Sequence, residues 1–311
     1  MEIEDEEFFR IEPFGYHNQA MMLGYPSADS FHSIVPASVY SIYDLLGIER
    51  GNISDTPTDM YAFMSYTSAK YAVGKLRAYS KPESLGYVLY EEYAKSDGYT
   101  ILKNDYALPM EFTYDEYVPL SSARAKLTDL EDADVSTNDN LMISAVILDE
   151  HQAEKYSDIL SPIAEELIPD ETLTLERFKE DAKARIAAGV DEFVIDENQN
   201  FSVKTSYESD ELVVFSVPYD KGWSCTVNGE ETEIDAVNGG FMAVRVPAGH
   251  NEIRFVYTTP GLYLGVALTA FGAVLIAAWF VLWHILRKRD KDTEVSIEES
   301  VPDDTDTRDK G

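Results

Sequence analysis

The 311-residue sequence predicts an α+β extracytoplasmic region ending in a small antiparallel β-sandwich-like domain, followed by one transmembrane α-helix. Three observations carry this. Residues 1–208 mix helix-period and strand-like runs, and residues 209–259 are short β-prone runs broken by turn signals. From Phe255 to Leu286 there is no Asp, Glu, Lys or Arg.

In the first region, Pro36–Leu46 has a helix-starting proline, then Val39, Ile42, Tyr43 and Leu46 at helical spacing, and Gly47 as a stop. Tyr71–Gly74, Tyr87–Tyr90 and Leu141–Leu148 ("LMISAVIL") are strand candidates. Thr128–Asn140 reads as an acidic polar loop. Leu175, Phe178, Ala182 and Ile186 are spaced to line one face of a helix that stops at Gly189.

The second region holds "ELVVFSV", "WSCTV", "FMAVRV" and "EIRFVY". Asn228-Gly229, Asn238-Gly239 and Pro247-Ala248-Gly249 separate them, and Asn-Gly between β-prone runs is the strongest short-range hairpin signal. Alternation puts Trp223, Cys225 and Val227 on one strand face and Ser224 and Thr226 on the other. Core packing is therefore the favoured role for Trp223, by about three to one over ligand stacking, since tryptophans are heavily buried on average.

Residues 260–287 form the membrane segment. Leu262–Trp283 supplies 22 almost wholly apolar residues, enough for a helix to span a hydrocarbon layer of roughly 30 Å. Tyr263 lies near one end and Trp279 and Trp283 near the other, as interfacial aromatics do. Arg287, Lys288, Arg289 and Lys291 follow it. The positive-inside rule then places residues 1–260 outside and the 288–311 tail in the cytoplasm. Residues 292–311 carry eight acids and no aromatic, a composition that predicts disorder.

"MEIEDEEFFRIEPF" has neither the cationic nor the apolar region of a signal peptide. Either an upstream membrane-inserted part carries the domain across, which is favoured, or the topology is reversed as in a tail-anchored protein. Gly261, Gly265, Thr269, Ala273 and Ala277 recur every four residues, a small-residue stripe against which other membrane helices pack closely. Glycine and alanine are also simply common in membrane helices, and the two readings weigh about equally.

Asp and Glu outnumber Lys and Arg 57 to 25, for a formal net charge of −32. Such a surface repels phosphate backbones and argues against nucleic-acid binding. One cysteine, Cys225, rules out an internal disulfide framework and a cysteine zinc cluster. No phosphate-binding glycine loop, dinucleotide fingerprint, nucleophile elbow or H-E-x-x-H occurs. His17, His32, His151, His250 and His284 lack ligand spacing in the sequence, and the acidic loop lacks the glycine and final glutamate of an EF-hand. Asn52-Ile53-Ser54 is a sequon of the kind that arises by chance. Neither a metal nor a cofactor is expected.

The string "VPYDKGWSCTVNGEETEIDAVNGGFMAVRVPAGHNEIRFVYTTPGLYLG" resembles the carboxyl-terminal segment of the bacterial YfhO-like membrane protein family. "FFRIEPF", "NQAMMLGYPSADSFHSIVPASVYSIYDLLG", "SAKYAV" and "LKNDYALPMEFTYDEYV" extend the resemblance upstream, more loosely. The resemblance implies a polytopic glycosyltransferase of the GT-C type. Such proteins have many membrane helices, then an extracytoplasmic domain and a last helix. They would move a sugar from a polyprenyl-phosphate carrier to an envelope polymer such as lipoteichoic acid.

The catalytic carboxylate of that class lies on an early loop with no counterpart here, so no catalytic residue is carried over. The expected partners are the bilayer, an upstream transmembrane bundle, a polyprenyl-linked sugar and the polymer. This part would cap the site or present the acceptor. Tyr219, Asp220, Lys221 and Trp223 are the candidates for sugar contact. The alternative is a non-enzymatic, membrane-anchored envelope binding module.

Overall fold

The structure is a computed structural model that describes residues 3–14, 17–56, 60–75, 87–92, 99–128, 136–163, 175–189 and 192–299. It divides into two units, Met1–Tyr257 and Thr258–Gly311.

The first unit is mixed α/β. A four-stranded sheet runs in the order Arg10–Phe14, Ala69–Lys75, Tyr99–Asn104, Tyr87–Glu92, with only its first pair parallel. A parallel three-stranded sheet joins Ser161–Pro162, Glu116–Pro119 and Val146–Leu148. Ser30–Phe31 and Ile53–Ser54 form a two-stranded antiparallel ribbon.

The strands expected in 209–259 fall into two antiparallel sheets. One runs Glu192–Ile195, Phe201–Tyr207, Gly249–Tyr257, Trp223–Val227, Glu230–Thr232. The other runs Asp235–Val237, Phe241–Val246, Glu211–Pro218, Glu111–Phe112. Phe201, Val203, Ile253 and Phe255 of the first share one buried cluster with Val213, Phe215, Met242 and Val244 of the second. Full burial of each such side chain stabilises the fold by about 1.5–3 kcal/mol.

Both Asn-Gly turns form as their residues dictate. Asn228 and Gly229 have φ of 55° and 83°, and Asn238 and Gly239 have 50° and 80°, the paired positive values of a tight hairpin turn. The second hairpin also presses on the Ala37–Leu45 helix. A Cβ on Gly240 would lie 2.6 Å from the Ser38 carbonyl oxygen, so no side chain fits there.

The Ala37–Leu45 helix begins after Pro36, and Leu175–Ala187 buries Phe178 and Ala182 while Ile186 stays exposed. Leu141–Leu148 is not one strand. Ser136–Ser144 is helical and only Val146–Leu148 is extended. The run is buried throughout, so it has no alternation to separate helix from strand. Of the expected acidic loop, 129–135 lies outside the described residues and 136–140 belongs to that helix.

Arg10 ties the first sheet to the Glu211–Pro218 strand. Its guanidinium, which burial lowers to about 10, donates to Thr67 O at 2.7 Å and to Ser216 Oγ and O at 3.0 Å.

The second unit holds the helix Leu262–Glu299. Its Leu262–Arg289 part is long and apolar enough to cross a membrane, with side chains such as Leu264, Phe271 and Trp279 exposed. Gly265, Thr269 and Ala273 line a shallow groove on it, and Thr269 Oγ1 returns a hydrogen bond to Gly265 O at 2.8 Å. Residues 292–299, whose composition predicts disorder, continue the helix, because extending a formed helix avoids the cost of nucleating one.

Candidate functional site

Tyr219–Trp223 forms the crossing from the Glu211–Pro218 strand to the Trp223–Val227 strand. Asp220 organises it. Its Oδ1 accepts from the Gly222 N–H at 2.8 Å and from the Tyr257 hydroxyl at 3.2 Å, while its carbonyl accepts from the Trp223 N–H at 3.0 Å. A short carboxylate capping its own turn is the expected use of aspartate here. Tyr219 is held from both sides: its N–H donates to Gly240 O at 2.8 Å, and its carbonyl accepts from Ser38 Oγ at 2.5 Å.

Trp223 lies opposite Tyr257 in the ladder. Its ring is half-buried, with centroids 5.5 Å from Phe201, 6.4 Å from Phe255 and 5.1 Å from Tyr257. Cys225 and Val227 are buried on the same strand while Ser224 is exposed. Tyr257 is 40% exposed, and its phenol is held above its ordinary range by desolvation and then by the Asp220 carboxylate. Lys221 is exposed and has no ion pair among the described residues. The turn thus gathers a carboxylate, two aromatic faces and a cation.

A second place is a cleft of about 590 Å³ lined by Phe8, Lys70, Pro109, Glu111, Gly189 and Phe193. Glu111 is 1% exposed, one of its oxygens has no hydrogen-bond partner, and burial pushes its carboxyl up to about 8. A carboxyl poised near neutrality in a cleft has the chemistry of a proton donor or acceptor. Lys70 does not neutralise it; the ammonium is engaged by Asp5 at 2.6 Å and Glu7 at 2.7 Å. In the sequence Glu111 is one acid among 57, with nothing to single it out.

A third place answers the expectation that the histidines lack ligand spacing. The fold brings His17 to Asp29 at 3.1 Å and both to Asp55, with one ligand atom from each within 4.8 Å of the others. One imidazole nitrogen and two carboxylate oxygens therefore converge there, donor types that suit a metal ion. The Glu12 carboxyl lies in the same field. Burial raises it well above its usual range, and Asp29 and Asp55 raise it further.

Residues 171–269 match the model of the family described as bacterial membrane protein YfhO. A 72-residue stretch is 25% identical to the uncharacterized protein YfhO of Bacillus subtilis (strain 168). That stretch covers 23% of this chain and only 8% of the relative. No solved structure matches the chain.

Proposed function

We propose that this YfhO-like membrane protein is the carboxyl-terminal part of a membrane glycosyltransferase, with residues 1–260 outside the cytoplasm and the tail inside. In this reading the enzyme moves a sugar from a polyprenyl-phosphate carrier to an envelope polymer of the lipoteichoic-acid type. The domain, with its two sheets as a sandwich, presents the acceptor or caps the site. One observation carries the reading: the family match runs from the Leu175–Ala187 helix, through the strands between Glu192 and Tyr257, into the apolar helix.

Other features support it. The small-residue groove on the helix suits close packing by a further membrane helix. The turn combines Lys221 and the Asp220 carboxylate with the partly exposed Trp223 and Tyr257 rings, a surface suited to a sugar's hydroxyls and its apolar face. Tyr219 acts there by fixing the turn backbone.

The test is made in cells that carry the gene. Deleting residues 1–257 while keeping the helix should abolish sugar incorporation into the polymer. A cysteine replacing the exposed Glu230, in a Cys225→Ser background, should react with an impermeant maleimide on intact cells. Unchanged incorporation sinks the transferase role, and labelling only after lysis sinks the topology. Sugar binding by the turn with incorporation unaffected would instead favour a non-enzymatic envelope binding module.

A further inference from the structure

We propose that His17, Asp29 and Asp55 bind one divalent transition-metal cation, Zn²⁺ in the first instance, with the buried Glu12 carboxyl in the same electrostatic field. The backbone assembles the donors from three separate segments. Ser30 pairs with Ser54 in the two-stranded ribbon, so Asp29, just before the first, and Asp55, just after the second, stand side by side at the ribbon's end. His17 follows the Arg10–Phe14 strand, which carries Glu12, and reaches Asp29 through Nδ1 at 3.1 Å.

An ion with bonds of about 2.0–2.2 Å needs its donors within about 4 Å of one another. The His17, Asp29 and Asp55 ligand atoms lie within 4.8 Å, a gap that small side-chain rotations close.

Glu12 supplies the independent sign of a ligand. It is 2% exposed, and its Oε2 is buried without any hydrogen-bond partner. A buried carboxylate oxygen is expected to be satisfied, and an orphan calls for an explanation.

Among the described residues no cation pairs with Glu12. The nearby Arg50 guanidinium is spent on neutral oxygens, Ser54 Oγ at 2.9 Å, Gly51 O at 2.9 Å and His32 O at 3.2 Å. Glu12 and Asp29 thus both feel the Asp55 carboxylate, and among the described residues His17 is the group that faces Asp29 with a positive contribution. An imidazole nitrogen favours a transition ion over Ca²⁺ or Mg²⁺, which prefer all-oxygen shells. Such an ion would staple the ribbon to the turn after the first strand.

Isothermal titration of Zn²⁺ into the chelator-treated full chain in detergent micelles tests this. One saturable equivalent is expected. His17→Ala and Asp55→Asn, both at exposed positions, should each weaken it at least tenfold, and Glu12→Gln should weaken it while melting no lower than wild type without metal. Glu230→Gln, an exposed carboxylate elsewhere, should change nothing. Absence of a saturable equivalent, or wild-type affinity in the His17 or Asp55 variant, overturns the site. Tighter binding of Ca²⁺ than of Zn²⁺ overturns the assigned class of ion.

Discussion

Asn238 is the most informative single residue to perturb, because a local turn and a long-range contact meet in it. It is fully buried at φ 50°. Its Oδ1 accepts from the Ile147 N–H at 2.5 Å, its Nδ2 donates to the Tyr66 hydroxyl at 2.9 Å, and its own N–H donates to Ile147 O at 3.0 Å. Removing the side chain leaves the Ile147 N–H and the Tyr66 hydroxyl short of a partner. Each buried group so stranded costs about 1–3 kcal/mol, for a total of about 2–6 kcal/mol.

Two substitutions separate the contributions. Asn238→Gly keeps easy access to the left-handed backbone and loses only the side-chain bonds. Asn238→Ala loses the same bonds and adds about 1–2 kcal/mol for a Cβ at positive φ. Taking about 3 kcal/mol for the glycine variant, and roughly 2–4 °C per kcal/mol for a domain of this size, its melting temperature should fall by about 6–12 °C. The alanine variant should fall further. Thermal unfolding of the full chain in micelles, followed by tryptophan fluorescence, gives both values. A glycine variant within about 0.5 kcal/mol of wild type would refute the hydrogen-bond argument, since surface-type substitutions stay within that range. Equal losses in the two variants would refute the backbone argument.

Glu111 makes stability depend on pH. Its folded value of about 8 lies above the ordinary 4.5, so its contribution is fully present below about 4.5 and is lost as pH rises through about 8. Glu111→Gln should flatten the fall in melting temperature between those limits, and an unchanged slope would count against the buried, unpartnered carboxyl. Cys225 is buried, with its thiol pushed up to about 12, so it should resist maleimide at neutral pH in the native chain and react within minutes in denaturant. Rapid native labelling would contradict the packing of the Trp223–Val227 strand.

Local physics made some of this legible. Each Asn-Gly pair stands where two consecutive residues need positive φ, and strand period alone put Cys225 and Val227 inward with Trp223 beside them. Where local signals were degenerate, reading the sequence failed. Leu141–Leu148 is apolar on every side, and an all-apolar run suits a buried helix as well as a buried strand. Glu111 and His17 were invisible because an acid or a histidine acquires its character from what surrounds it. Those surroundings come from other segments: His17 is 12 residues from Asp29, and Ser38 bonds the Tyr219 carbonyl 181 residues away.

The sequence by itself determined the apolar helix, its cationic flank, the hairpins and the family resemblance, since each rests on composition or on neighbours a few residues apart. Only the tertiary structure decided which carboxylates are stripped of water, which of them meet His17, and how the Glu111–Phe112 and Phe201–Tyr207 strands join the sheets of the carboxyl-terminal hairpins. Burial and charge proximity depend on contacts between distant segments, and no local period encodes those.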